Sequence, residues 1–141
     1  MADTKAELIM AAVTTLMGGL NGITVYRSRV DALSRRQAPA LVISQEGNVP
    51  GTTPVSTCKI EWDLTINLEF YCRGAIPDAQ ASPFIEAAHA LLMADRSIGG
   101  RAINTWPGPQ QPQLDPTDST ALWMVCPYVI THRTTQENIS A

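Results

Sequence analysis

The sequence predicts an α+β fold: a mixed, mainly antiparallel sheet with a long hairpin-like strand and two helices packed on one face. Three observations lead there. The stretch Lys59-Ile60-Glu61-Trp62-Asp63-Leu64-Thr65-Ile66-Asn67-Leu68-Glu69-Phe70-Tyr71-Cys72-Arg73 is apolar at every even position and polar at every odd one except Tyr71. That period of two marks a strand with one face on a core and one in water. Two segments of helical period, near residues 5–17 and 83–98, stand apart from it in sequence. The order helix, strands, helix, strands carries no internal repeat, and helices set apart from consecutive strands define an α+β layer arrangement.

The elements follow in order. Thr4 and Glu7 form a capping box, and Leu8, Ile9, Ala12, Val13, Leu16 and Met17 recur at helical spacing until Gly18-Gly19 ends the first helix. Asn21-Gly22 turns into a short strand, Ile23-Thr24-Val25-Tyr26. The arginine-rich run that follows has no period and reads as a loop. Pro39 opens Ala40-Leu41-Val42-Ile43-Ser44, whose apolar run fits a strand covered on both faces. Residues 45–56, with Gly47, Pro50, Gly51 and Pro54, read as a long exposed loop and a candidate contact arm. The alternating strand then returns along 57–72; at roughly 3.3 Å per residue it measures about 46 Å, well over twice the usual strand. A strand of that length either bends around its own core or reaches past it to a neighbour, which points to assembly.

Ser82 and Pro83 sign the start of the second helix, with an earlier start at Asp78 open, and Phe84, Ile85, Ala88, Leu91 and Leu92 form its apolar stripe up to Gly99-Gly100. Residues 101–104 suggest a short strand. Pro107, Pro109, Pro112 and Pro116 make 104–119 a second extended loop. The run 121–133 is β-rich in composition, and Pro127 within it calls for an edge strand or a bulge. Residues 134–141 are polar and read as a loose tail.

A chain of 141 residues with 45% hydrophobic content fits one domain, 1–141, with an ordinary core. Ten Lys and Arg against thirteen Asp and Glu give a net charge of −3, which gives no support to a general nucleic-acid binder. The N-terminus is charged from Asp3 onward and holds no apolar run, so the expectation is a cytoplasmic chain without signal peptide or membrane span. Cys58, Cys72 and Cys126 are expected as reduced thiols.

No nucleophile elbow, phosphate-binding loop or metal-ligand spacing is found, so neither an enzyme, a cofactor nor a metal is expected. His89 and His132 read as surface or half-buried imidazoles. Glu61, Asp63 and Glu69 share one face of the long strand and read as the charges a solvated face needs. Arg27, Arg29, Arg35 and Arg36 are candidates for salt bridges to a neighbouring subunit, with phosphate binding and plain solvation as the alternatives. Among the tryptophans, Trp62 and its apolar neighbours read as core, and Trp106, beside the proline-rich loop, is the best interface anchor.

The segment Leu122-Trp123-Met124-Val125-Cys126-Pro127-Tyr128-Val129-Ile130-Thr131 resembles the closing strand of the minor tail protein U family, the tail terminators of lambda-like phages with long non-contractile tails. The N-terminal helix, Tyr26-Arg27, Pro39-Ala40-Leu41-Val42, the long strand ending at Phe70-Tyr71 and the second helix fall in the same order. The resemblance implies a small α+β protein in the virion, at the head-proximal end of the tail. There it would form a hexameric ring that caps the tail tube, stops its polymerisation and joins a head-completion or neck protein, with DNA only passing through the lumen. The 106–119 segment and the tail beyond Thr131 depart from the family, and no family site residue maps onto this chain. Two other readings remain open: another ring-forming connector or tube protein, and a small-molecule-binding α+β domain.

Overall fold

A computed structural model describes residues 3–28, 39–51, 58–115 and 118–140. Helix α1 spans Lys5–Met17, and half of the expected capping box is made: the Thr4 hydroxyl oxygen accepts from the Glu7 N–H at 3.1 Å, while the Glu7 carboxylate turns to Arg27 instead of the Thr4 N–H; Gly18 closes the far end. Its buried residues are Ala6, Ile9, Met10, Val13 and Met17. The stripe is therefore rotated from the one expected, and Leu8 is 38% exposed. Helix α2 spans Pro77–Ala94. Pro77, not Pro83, takes the first helical position, and Pro83 lies inside on the exposed side, where water can take the carbonyl its missing N–H leaves free. The helix ends before Gly99-Gly100 because Asp95 caps a separate turn, accepting from the Ser97 hydroxyl and from the Ser97 and Gly99 N–H groups.

The strands are β1 Thr24–Arg27, β2 Ala40–Pro50, β3 Lys59–Arg73, β4 Asn104–Pro107, β5 Gln111–Asp115 and β6 Asp118–Thr135. They form one six-stranded sheet in the order β1-β2-β3-β6-β4, with β5 also on β6. Only β1 and β2 run parallel; every other pairing is antiparallel. The fold is thus α+β with a mixed, mostly antiparallel sheet and two helices. Both helices cover the same face. Ile9, Met10, Val13, Ala88 and Leu92 pack in one cluster with Leu41 and Ile43 of β2, Leu64 to Phe70 at even positions of β3, and Cys126, Tyr128 and Ile130 of β6. Each large aliphatic side chain so buried contributes roughly 1.5–3 kcal/mol.

Both segments expected as loops are in part strand. Residues 45–50 continue β2, because a bulge at Glu46, between Gln45 opposite Ile66 and Gly47 opposite Thr65, absorbs the irregular sequence, and Pro50 stands last in the ladder. Residues 52–57 lie outside the described residues. In 104–119, β4 and β5 hold two short ladders on the same edge of β6, opposite 128–131 and 122–125. Pro107 ends the first, Pro109 falls in the corner, and Pro112 sits in a strand bonded on one side only, where proline is tolerated.

That corner also explains Pro127. Contrary to expectation β6 is neither an edge nor bulged there: Asn67 stands opposite Pro127 in an unbroken ladder with β3. The Pro127 carbonyl accepts from the Gly108 N–H at 2.8 Å, so its missing donor faces the gap between β4 and β5, where no ladder partner is due. The C-terminal segment is pinned rather than loose. Thr134 is buried within β6, the Ile139 carbonyl accepts from the Lys5 N–H, and the Lys5 ammonium donates to the Arg133 carbonyl.

Candidate functional site on the helix-free face

The opposite face of the sheet carries the odd positions of β3 and β6, and their register sorts them. Glu61 faces Arg133, whose guanidinium Nε lies 3.2 Å from the carboxylate. Asp63 faces Thr131, whose hydroxyl donates to it at 2.9 Å. Glu69 is different. It stands between Val42 of β2 and Val125 of β6, without a hydrogen-bond or ionic partner among the described residues. Burial alone raises the pKa of its carboxyl. The three carboxylates expected to be equivalent are therefore two paired ones and one seated between valines.

Next to Glu69 the face becomes aromatic. Tyr71 is only 3% exposed and packs on Trp123 with ring centroids 4.8 Å apart, beside Tyr26, Ala40 and Ala121. Towards β4 a groove of about 400 Å³ crosses the face, with Glu46, Glu69, Gln111 and Gln113 as polar lining over a floor of Val125 and Val129. Trp106 of β4 lies opposite Val129 on the same side of the sheet. It is 56% exposed, and the Arg96 guanidinium sits 5.3 Å over its ring. Trp106 and the Glu69 groove thus meet at Val129 on one face of the sheet, with an apolar anchor at one end and a carboxylate unpartnered among the described residues at the other.

The arginines distribute otherwise. Arg27 ends β1 at the far edge of the sheet, points to the helix-covered side and forms a two-bond ion pair with Glu7 of α1, one bond measuring 2.7 Å. The hydrogen bonds with Arg27 hold the Glu7 carboxyl below its ordinary value. Arg27 is thereby satisfied within its own chain and is not brought near Trp106. Arg29, Arg35 and Arg36 lie outside the described residues.

His132 departs most from expectation. It is 1% exposed, the next even position after Ile130 on the helix-covered face, and burial lowers its pKa. Continuing the alternation of β6 past Ile130 would have found it. His89 is half-buried and shares a 2.9 Å hydrogen bond with the Tyr128 hydroxyl. No family model matches the chain, and no curated protein matches it.

Proposed function

We propose that this chain is the terminator of a long, non-contractile phage tail: a homo-oligomeric ring, expected as a hexamer, that caps the tail tube, stops its growth and offers the surface for head joining. The resemblance at 122–131 suggests the role. The observation that best supports it is the helix-free face, where β3 and β6, strands of 15 and 18 residues, carry Glu69, unpartnered among the described residues, and β4 adds the exposed Trp106. An aromatic anchor on an apolar floor with a partly desolvated charge is the make-up of a protein–protein hot spot. Of the interface candidates, this reading keeps Trp106, adds Glu69 and releases Arg27 to the monomer.

Gene disruption in the phage tests the role. Tubes should run past their normal length and fail to join heads, while DNA packaging proceeds. Tails of normal length that still fail to join would overturn termination in favour of a connector acting after the tail is complete.

A further inference from the structure

The turn between α1 and β1 is made by Asn21 and Gly22, both exposed. On one side of it the Leu20 N–H reaches back to the Met17 carbonyl, and on the other the Thr24 N–H reaches the Pro39 carbonyl at the edge of the sheet. Between these anchors neither the Asn21 side chain nor the Gly22 N–H makes a hydrogen bond among the described residues. Gly22 has φ +78°, in the left-handed region, so the turn itself favours a residue without a Cβ directly after the asparagine. Strand β1, which follows, is a sheet edge of four residues paired to β2 alone, and Ile23 and Val25 pack against the core.

An asparagine placed in this way has its own nucleophile beside it. Once hydroxide takes its proton, the Gly22 nitrogen can attack the Asn21 Cγ and form a new N–C bond. The Cγ–Nδ2 bond then breaks, and the nitrogen takes a proton from water and leaves as ammonia, closing a five-membered succinimide. Water opens that ring at either carbonyl. One opening gives aspartate in the ordinary backbone; the other gives isoaspartate, whose main chain runs through Cγ and is one carbon longer. In sum one water is consumed and one ammonia is released, with no other reactant. The attack needs an unhindered nitrogen and a backbone free to turn into line, which a following side chain or a strand ladder denies. The other asparagines lack that freedom. Asn48, Asn67 and Asn104 stand within β2, β3 and β4 and precede Val49, Leu68 and Thr105. Asn138 precedes Ile139, and its Oδ1 accepts from the Ser140 N–H and hydroxyl.

We infer that Asn21 is a site of spontaneous, one-way modification through a succinimide with Gly22, and that its isoaspartate product loosens the edge strand β1. The extra main-chain carbon enters three residues before Thr24, and the four-residue ladder to β2 is the weakest support nearby. Peptide mapping of the folded full chain, incubated at a series of pH values from neutral to mildly alkaline, tests the first part. The expected result is the loss of one amide per chain, at Asn21, with both aspartate and isoaspartate formed. The rate should rise in proportion to hydroxide and approach that of the same chain in denaturant, while Asn48, Asn67, Asn104 and Asn138 keep their amides. Asn21→Gln, which could close only a slower six-membered ring, should release no ammonia over the same time. Hydrogen exchange on the isolated isoaspartate form tests the second part: amides of β1 should exchange faster while those of β3 and β6 stay protected. An Asn21 amide kept in the folded chain but lost in denaturant would mean that the turn shields it. Aspartate as the sole product would mean direct hydrolysis. Either result, loss spread evenly over the asparagines, or undiminished ammonia release from Asn21→Gln would overturn the site, and unchanged exchange in β1 would overturn its link to the edge strand.

Discussion

Glu69 and His132 are ionisable groups that the fold disfavours in their charged forms, and they leave opposite signatures in pH. Burial raises the Glu69 carboxyl above its unfolded value, so the folded chain holds a proton the unfolded chain releases, and stability falls as pH rises through that window. Glu69→Gln should therefore stabilise the isolated chain modestly at neutral pH, given the residue's partial exposure, and the gain should vanish below the ordinary carboxylate range. Thermal melts of both proteins at acid and neutral pH would show it; a gain that persists in acid would mean packing, not charge, is responsible. Burial lowers His132, so the unfolded chain takes up a proton the folded one resists. Stability should then fall as pH drops below the ordinary imidazole value near 6.5, with a slope no steeper than about 1.4 kcal/mol per pH unit. In His132→Gln this component should disappear, and identical pH profiles for the two chains would count against it. Neither group was legible as special from its own position. Glu69 looks like Glu61 and Asp63 until the register sets it between Val42 and Val125, and that register is a long-range property.

Strand β3 was readable because its alternation is strict and locally encoded, and the structure returns it at Lys59–Arg73. Leu64 and Ile66 are fully buried and Thr65 faces the groove side. Leu64→Asp or Ile66→Asp should cost several kcal/mol by burying an unpaired charge, enough to unfold a typical domain, whereas Thr65→Asp should be mild. Equal loss from both faces in denaturant titrations would contradict the one-sided core. The segments 45–50, 104–107 and 111–115 were not readable, because Pro and Gly signal the absence of a ladder partner on one side and say nothing of the other. Their strands are donated by tertiary pairing to β3 and β6, which overrides local propensity. The start of α2 stays open in the sequence, between Asp78 and Ser82-Pro83, for a related reason: Pro77 and Pro83 are equally good first-turn residues locally, and only packing chooses between them. The β4–β5 corner can be tested at Gly108, where an added Cβ would come 3.0 Å from the Pro127 ring. Gly108→Ala should loosen the corner and speed amide exchange in β4 and β5, leaving β2 and β3 protected. Uniform protection in the variant would mean the Pro127 ring yields without cost.

For the assembled molecule, the question is whether self-association closes. A heterologous contact repeated around an axis gives a finite ring when the rotation closes and an open filament when it does not. The edges of this sheet bear on that choice. Pro107 and the buried Thr105, bonded to the Arg96 carbonyl, shield the outer side of β4, and the Glu46 bulge and Pro50 interrupt β2 beyond its pairing with β1. Edges treated in this way resist open strand-to-strand growth. The helix-free face, with Trp106 and Glu69, is left as the better surface for specific contact. If that face joins copies into the proposed ring, the mass seen in sedimentation should rise with concentration to a plateau and stop, whereas a tube-type subunit would keep growing. Trp106→Ser should lower the plateau species without changing the circular dichroism of the monomer, because the side chain is more than half exposed and supports little of the core. Glu69→Gln sharpens the test, since it should stabilise the free chain while weakening the assembly if a neighbour's cation completes the groove. A variant that gains stability and keeps its assembly unchanged would place Glu69 outside the contact and leave Trp106 to carry the interface alone.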